Sequence, residues 1–388
     1  MRSSKIHNIS RGEVHQWTLS WLLAARLLPD HGWKCTATVV WNIVLRAAAR
    51  SVSIFAACRD LVDAPSDQAI FNALSDGLPK TWKVLERRLN DALLDNCSRR
   101  LRRRAWHVAI DWHLIPYYGE PKKSRNQLVH SEPKQGTTKF HTYATACITQ
   151  DGSRYTVALT WVRGHDSMVD VVERLLTQIE RKGLKIRLLL LDAAFYKGAV
   201  MEALQQRRLA YLMPVSFSGR PPKKRKAKTG LHKIRQQGAG WYKHTFKHRE
   251  TPVTFSVCVA YRTYKHHKTR KRKQDKLLFA AWGFHRPPTD TRELYRTRFG
   301  IESSYRQRRQ AAIYTCTRDP HLRLVFVAIS LLLRNLWVWI HATHLAERGQ
   351  PEITLRLDRL RFKRLLDWIA QEIVAILHDG STPCVILD

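Results

Sequence analysis

The spacing of apolar residues sets the first part of the chain apart from the rest. In three early segments, apolar side chains recur every three or four positions, as on one face of a helix: residues 17–28, 38–57 and 69–94. Proline and glycine fall chiefly between these segments. The pattern predicts a helical domain at residues 1–104, which is either a sequence-reading module of the helix-turn-helix type or a helical packing domain.

From residue 106 the chain becomes dense in β-branched and aromatic residues, which favours strands. The predicted strands of the following region, residues 105–215, are 106–118, 139–149, 153–162, 185–191 and 210–215. The tripeptide Gln150-Asp151-Gly152 predicts a tight turn, and helices are predicted at residues 167–182 and 198–207. The order β-β-β-α-β-α-β predicts an α/β fold with a mixed sheet, in which βαβ crossovers extend a set of hairpins.

The later part of the chain returns to helical periodicity. An apolar helix at residues 322–345 is predicted to be a core helix within the segment 289–346. An amphipathic helix at residues 355–377 is predicted within the C-terminal segment 347–388.

The chain as a whole is strongly basic. Its 388 residues include 67 Lys and Arg against 32 Asp and Glu, a formal net charge of +35. An apolar share of 44% indicates a globular protein, so the charge predicts a folded surface for a polyanion, most commonly nucleic acid. The most apolar run, residues 324–333, is too short to span a bilayer, and no membrane partner is expected.

Cysteine usage and the first residues bear on location. The seven cysteines include no CxxC pair, which argues against a disulfide framework and against a structural zinc. Residues 1–20 lack the apolar core of a signal peptide. Both observations favour the cytoplasm.

Composition changes again at residues 216–288. Between residues 216 and 276 there are 19 Lys and Arg against two acids, and most of these cations lie in the runs 221–228 and 264–276. Strand-like segments accompany these runs at residues 241–246, 251–261 and 277–282, which predicts a basic β-rich insertion. Each run is either a solvated loop or, since two occur on one insertion with aromatic residues between them, part of a surface that follows a DNA backbone.

Aromatic and histidine residues of the insertion have simpler interpretations. Trp241 and Trp282 either stack on an unpaired base or belong to the β core, and the second interpretation is favoured. His266-His267 lies in a lysine-rich run without partner ligands, so no metal site is predicted there.

A helix is predicted after Pro287-Pro288, with Thr289 or Asp290 as its cap, and it contains the stretch YRTRFGIESSYRQRR at residues 295–309. At about 100° per residue, one face of a single helix carries four of these residues, with Arg306 close by: Tyr295, Arg298, Glu302 and Arg309. On this stretch alone, a solvated face with an Arg298–Glu302 ion pair explains the pattern as well as a binding site does.

Three carboxylates stand at distinctive places in the predicted order of elements. Asp111 lies within the first strand, Asp192 directly follows the strand at residues 185–191, and Glu302 lies on the later helix. A mixed sheet with acids at these places is the ribonuclease H-like arrangement. Phosphodiester cleavage uses two hard cations, which take oxygen ligands, so the three acids predict a site for two Mg²⁺ or Mn²⁺ ions.

Two further polar residues lie near this predicted site. His113 is two residues from Asp111 and therefore on the same face of the strand; it either serves the metal site or phosphate, or is a core histidine, which is favoured. Asp166 is a fourth carboxylate near the sheet, and Asp166-Ser167 is interpreted as the cap of the next helix.

These residues resemble the DDE transposases of bacterial and archaeal insertion sequences, in the group with the signature Tyr-x2-Arg-x3-Glu-x6-Lys. Tyr295, Arg298 and Glu302 match this signature, and Arg309 stands in place of its lysine. The two cations differ in geometry, which bears on the role of Arg309. The resemblance extends over residues 106–340 and includes the step from Asp192 to Phe195 and the basic insertion.

The resemblance implies an enzyme that cleaves the terminal inverted repeats of a mobile element and transfers the resulting 3′-hydroxyl to target DNA. The implied catalytic residues, which also hold the metal, are Asp111, Asp192 and Glu302. The implied DNA contacts are Tyr295, Arg298 and Arg309. Arg306 is a further candidate for a phosphate contact, because it lies close to the same face of the helix. If the helical domain at residues 1–104 is the sequence-reading module, it would bind the element ends. A homodimer associated with the nucleoid is expected, because two ends of double-stranded DNA must be held together.

Two other functions are compatible with the sequence. A non-catalytic DNA-binding protein derived from a transposase, whether decayed or regulatory, would bind DNA with a steep salt dependence and would not cleave it. A plain ribonuclease H-like nuclease would not need so large a basic insertion. The presence of all three acids in order favours the transposase.

Overall fold

The computed structural model of the chain describes residues 9–30, 32, 34–94, 99–121, 124–149, 154–217, 229–265, 271–345 and 355–377. The predicted turn at Gln150-Asp151-Gly152, the basic run at residues 221–228 and the pair His266-His267 lie outside the described residues. The basic run at residues 264–276 is described in part.

The N-terminal region contains more helices than its periodicity predicts. They are α1 (Arg11–Ala24), α2 (Ala37–Arg50), α3 (Ile54–Arg59), α4 (Asp67–Gly77), α5 (Trp82–Leu94) and α6 (Arg99–Arg103). The predicted helix at residues 38–57 is broken where Ser51 adopts a left-handed conformation and Ser53 caps α3. The predicted helix at residues 69–94 is broken after Leu78, the C-cap of α4, because Pro79 follows.

The described strands form a single mixed sheet. They are β1 (Ala105–Pro116), β2 (Val129–Lys134), β3 (Thr137–Ile148), β4 (Thr156–Val162), β5 (Lys185–Leu191), β6 (Tyr211–Pro214), β7 (Gly240–His248), β8 (Thr251–Lys265) and β9 (Arg272–Trp282). The sheet order is β2-β3-β1-β5-β6-β9-β8-β7, and β4 also pairs with β3. The polar strand β2 has no counterpart among the predicted strands.

The core of this sheet has the predicted ribonuclease H-like order. The strands β1, β5 and β6 are parallel, while β3 is antiparallel to β1 and to β4, which gives the order β4-β3-β1-β5-β6. The helices α7 (Met168–Arg181) and α8 (Gly198–Gln206) connect the parallel strands. The predicted fold class is therefore confirmed.

The strands of the predicted insertion continue the same sheet. Strand β9 pairs antiparallel with β6, with Leu212 opposite Ala281, and β8 and β7 follow outward. A short helix, α9 (Gly230–Ile234), precedes β7. The described part of this segment is β-rich, and its strands extend the main sheet.

Helices cover both faces of the sheet. One face packs against α7 and α8 and against a layer in which α5 contacts α12 (Pro320–Thr343) and the helices α1 and α2 contact α13 (Phe362–Leu377). The other face packs against α10 (Pro288–Arg296) and α11 (Gly300–Arg308), which contribute Tyr295 and Ile301 to the core. The N-terminal helices thus share one core with the C-terminal helix.

The stretch at residues 295–309 is helical but is not the single helix that the sequence predicts. A 3₁₀ turn, Thr297–Phe299, separates α10 from α11, and a second 3₁₀ turn, Arg309–Ala311, ends the stretch. A 3₁₀ turn winds more tightly than an α-helix. The positions of the four signature residues therefore cannot be derived from a single helix of 3.6 residues per turn. Arg298 lies in the first of these turns and is buried.

The prediction of a core helix is confirmed for α12. It is the one helix in the described part of the chain that is long and apolar enough to cross a bilayer, and nearly all of its apolar stretch is buried inside the fold. The predicted C-terminal helix begins later than its pattern suggests, at Phe362.

Side chains from two helices close the outer edge of β4. Asn335 of α12 donates to the Thr156 carbonyl and accepts from the Thr156 N–H. Asn90 of α5 makes the same pair of hydrogen bonds to Leu159. These amides satisfy backbone groups that an open edge strand would offer to another chain.

Replacing Glu86, which is buried at this edge, is expected to reduce the pH dependence of stability. The Glu86 carboxyl accepts from the Thr160 hydroxyl and the Trp161 N–H, and burial raises its pKa from 4.5 to about 7. The Glu86 carboxyl ionises at a lower pH in the unfolded chain than in the folded protein. The free energy of unfolding therefore falls by about 3 kcal/mol as the pH rises from below the unfolded pKa to above the folded pKa. Glu86→Gln removes this loss. The thermal unfolding midpoint of the variant should therefore exceed that of wild type at pH 8, and the two midpoints should approach each other toward pH 4.5.

The control for this measurement is Glu250→Gln, at an exposed turn between β7 and β8. It should shift the thermal midpoint by the same small amount at both pH values. A Glu86→Gln gain of equal size at pH 8 and pH 4.5 would contradict the assignment of the pH dependence to Glu86.

Candidate active site

Two of the predicted acids lie side by side on neighbouring strands, Asp111 within β1 and Asp192 directly after the end of β5. Strand β5 runs parallel to β1 with Leu191 opposite Ile110, so Asp192 comes beside Asp111, the next residue of β1. Asp192 begins a 3₁₀ turn, Ala193–Phe195, and its side chain accepts from the Ala193 N–H at 2.6 Å. The fully buried Phe195 ring anchors this turn and thereby fixes the position of Asp192.

Helix α11 supplies the third acid. Glu302 lies in the first turn of α11, and 48% of its side chain is exposed. The Tyr305 hydroxyl holds α11 to the sheet, because it donates to the Asp111 carbonyl at 3.1 Å and lies 2.7 Å from the Thr145 hydroxyl. The structure therefore brings together three acids that are far apart in the sequence.

Tyr305→Phe is expected to lower the free energy of unfolding by roughly 1–2 kcal/mol, because it leaves the Asp111 carbonyl and the Thr145 hydroxyl without this partner. Urea denaturation measures the loss. The control is Tyr314→Phe, since 65% of that residue is exposed. A loss no greater than that of the control would show that the Tyr305 hydroxyl does not hold the helix in place.

The guanidinium of Arg298 lies between all three acids. Its Nη2 atom is 3.3 Å from Asp111 Oδ1 and 3.5 Å from Asp192 Oδ2. Its Nη1 atom is 3.8 Å from Glu302 Oε1. The Arg298–Glu302 pair considered from the sequence is thus present, but it is the longest of three contacts.

Burial and charge act together on this cluster. Burial raises the pKa of Asp111 to about 6; the Arg298 guanidinium opposes the rise, and the two other acids add to it. Burial also works against the charge of Arg298, yet Tyr295 and the three carboxylates outweigh it and raise the pKa of Arg298. Arg298 is therefore charged and offsets the mutual repulsion of the acids.

Tyr295 is packed beneath the cluster. Its hydroxyl donates to the Leu191 carbonyl at 3.1 Å, and its ring contacts Phe279. Burial raises the pKa of the Tyr295 phenol, so the hydroxyl keeps its proton. In this arrangement Tyr295 fixes the strand end that carries Asp192.

The other cations near the signature divide into exposed and buried ones. Arg306 and Arg309 are exposed.

Arg308, which the sequence pattern does not single out, is buried and donates to His113 Nε2. Burial and the neighbouring arginines lower the pKa of His113 to about 3, so its ring is neutral, and it stacks on Tyr305. The spacing of His113 and Asp111 indicates a shared face, but the sequence contains no signal for its partner.

The structure corrects the interpretation of Asp166. The cap of α7 is Ser167 in a capping box with Asp170, whereas Asp166 is bound by Arg163 at 2.9 Å and by Arg174 at 2.7 Å.

The two tryptophans of the insertion, Trp241 and Trp282, are half-buried against the core.

The donor set of the cluster suits a hard divalent cation. Three carboxylates surround the guanidinium of Arg298. Mg²⁺ and Mn²⁺ take oxygen ligands of this kind. In this structure, no three His, Cys, Asp or Glu side chains in the described part of the chain are spaced to hold one metal ion. The residue types fit the metal, whereas their present spacing is that of a site that holds a guanidinium.

Comparisons with known proteins address the same region. The family model described as "Transposase DDE domain" matches residues 102–335, a range that contains Asp111, Asp192 and Glu302. Among solved structures, the chain is similar in fold to the piggyBac transposase in a cryo-EM structure of its synaptic complex with hairpin DNA. The sequence identity is 12% and the TM-score 0.51, over 98% of this chain and 81% of that chain. No curated protein matches the sequence.

Proposed function

Because the chain belongs to the transposase DDE domain family, we propose that it cleaves DNA at the ends of an insertion sequence and joins the resulting 3′-hydroxyl to target DNA. The observation that supports this proposal is the meeting of Asp111, Asp192 and Glu302 around one cation. These acids come from three elements, the strand β1, the end of β5 and the helix α11, whereas a solvated ion pair on one helix would need only that helix.

The same three acids are the proposed metal ligands. When bound, two divalent ions would activate the attacking oxygen and stabilise the leaving oxygen of a phosphodiester. Asp192 and Glu302 are 45% and 48% exposed and can meet a substrate, while Asp111, at 16%, forms the buried side of the site. In the DNA-free protein, Tyr295 holds the end of β5 and Tyr305 holds α11 in place around the acids.

The proposed phosphate contacts lie around these acids. Arg306 and Arg309 are exposed cations on α11 and on the turn that follows it. Arg298 and Tyr295 are proposed to hold a phosphate at the cleaved end. The Tyr295 hydroxyl has one donor proton, so it would exchange the Leu191 carbonyl for a phosphate oxygen.

The hairpin of β8 and β9 supports DNA as the substrate. Lys265 lies directly opposite Arg272, both exposed, and the next position on β9, Lys273, is a third cation. Like charges at opposed positions destabilise a hairpin, and a polyanion bound across them removes the repulsion. Since two element ends must be held together, we propose a homodimer on double-stranded DNA.

Cleavage of DNA that carries the sequences flanking the gene tests this proposal. We expect wild type to nick this DNA and leave a 3′-hydroxyl with Mg²⁺ or Mn²⁺, and to leave it intact in EDTA. Inverted repeats in the flanking sequence would identify the substrate ends. The non-catalytic alternative predicts binding of the same DNA without nicking at any metal concentration, and that result would overturn the proposed function.

A further inference from the structure

The cation that joins the three acids is part of the protein itself. The Arg298 side chain is 5% exposed, which is less than any of the three carboxylates around it. Its Nε atom is buried and has no hydrogen-bond partner. The guanidinium is thus enclosed in the cluster, with its two terminal nitrogens shared among the three acids.

These contacts are loose for ion pairs of this kind. Charge-assisted N–H···O bonds are typically about 2.7–2.9 Å long, whereas Arg298 lies 3.3, 3.5 and 3.8 Å from its partners. A single nitrogen, Nη2, serves both aspartates. Arg298 therefore balances the charge of the acids without giving each of them a close hydrogen bond.

We propose that Arg298 is an internal counter-cation, which occupies the acid cluster when no metal is bound and leaves the carboxylates when a divalent ion binds. This inference rests on the proposed function, because it concerns the same site. Mg²⁺ needs carboxylate oxygens at about 2.0–2.1 Å. In this structure the described side chains offer no set of three ligands to one ion, and the guanidinium lies between the acids, so we expect the two cations to exclude each other.

The displaced guanidinium needs an anion. A buried arginine that loses its partners is costly, and a DNA phosphate beside the acids is the anion that the proposed substrate supplies. Metal binding and phosphate binding therefore favour each other, and by linkage each raises the affinity of the other by the same factor. Arg298 lies in the 3₁₀ turn that interrupts the helix between α10 and α11.

Titration of Mn²⁺ into the DNA-free protein by calorimetry tests this inference. We expect Arg298→Gln to bind Mn²⁺ at least tenfold more tightly than wild type, because the competing charge is gone. Arg298→Lys keeps a competing charge and should stay within about threefold of wild type. The matched control is Arg296→Gln, since Arg296 is 60% exposed and pairs with Glu293, and it should stay within twofold.

A second measurement does not depend on a variant that folds. In a crystal structure of wild type with Mn²⁺ and without DNA, we expect Arg298 to lie more than 4 Å from at least two of the three carboxylates. Mn²⁺ bound by the three acids with Arg298 still between them would overturn the inference, as would an Arg298→Gln affinity equal to that of wild type.

A parallel nicking assay separates this inference from the proposed function. If wild type nicks DNA with Mn²⁺ while Arg298→Gln binds Mn²⁺ no more tightly, the inference alone is overturned. If no protein of the series binds Mn²⁺ and wild type does not nick DNA, the proposed function is overturned together with it.

Discussion

Asp192→Asn is expected to slow DNA nicking by roughly 10³-fold or more, because a metal ligand that stabilises charge in the transition state contributes several kcal/mol. The fold should persist. Asparagine keeps the oxygen that accepts from the Ala193 N–H, and 45% of the Asp192 side chain is exposed. Single-turnover nicking measures the rate, and thermal unfolding verifies that the variant is folded.

The control for this variant is Asp367→Asn on α13, where the aspartate pairs only loosely, at 3.9 Å, with Lys363. It should nick at the rate of wild type. In EDTA, where no metal contributes, DNA binding by Asp192→Asn should be at least as tight as that of wild type, because a negative charge has been removed beside the proposed phosphate site. A nicking rate within tenfold of wild type would contradict the role given to Asp192.

Asn335→Leu is expected to lower the free energy of unfolding by roughly 3–5 kcal/mol. Asn335 is 1% exposed and bonds to both backbone groups of Thr156 and to the Leu93 carbonyl. Leucine has a similar volume, so the loss comes from three buried backbone groups left without this partner and not from a cavity. Urea denaturation with a common m-value measures it.

The same substitution at an exposed site separates this effect from a general cost of leucine. Asn72→Leu on α4 removes an exposed bond from Gln68 and should change stability by less than about 0.5 kcal/mol. Equal losses for Asn335→Leu and Asn72→Leu would show that the amide does not close the edge of β4.

Local patterns were sufficient to predict the elements that carry two of the acids. Strand β5 was predicted with the bounds that the structure shows, because its continuous apolar run ends at a charged residue, Asp192. The β-branched and aromatic residues of β1 predict this strand, and Asp111 lies within it. The order of strands and crossovers then predicted the mixed sheet, since few topologies accommodate it.

Contacts between distant segments could not be predicted in this way. The pairing of β6 with β9 joins residues about seventy positions apart, such as Leu212 and Ala281, so the local pattern predicts the strands of the insertion but not that they extend the main sheet. The break at Thr297–Phe299 follows no proline, and only the packing of α10 and α11 shows that Arg298 meets all three acids. Asn90 and Asn335 bind the edge strand β4, which is distant from both in the sequence, so their roles cannot be predicted from the residues next to them in the chain.

The most direct test of the metal site is the choice of metal by Asp192→Cys. A thiolate is a softer ligand than a carboxylate and binds Mn²⁺ in preference to Mg²⁺. If Asp192 holds the metal, Asp192→Cys should fail to nick DNA with Mg²⁺ and should recover nicking with Mn²⁺, while wild type nicks with both. Nicking by Asp192→Cys at the rate of wild type with Mg²⁺ would contradict the account.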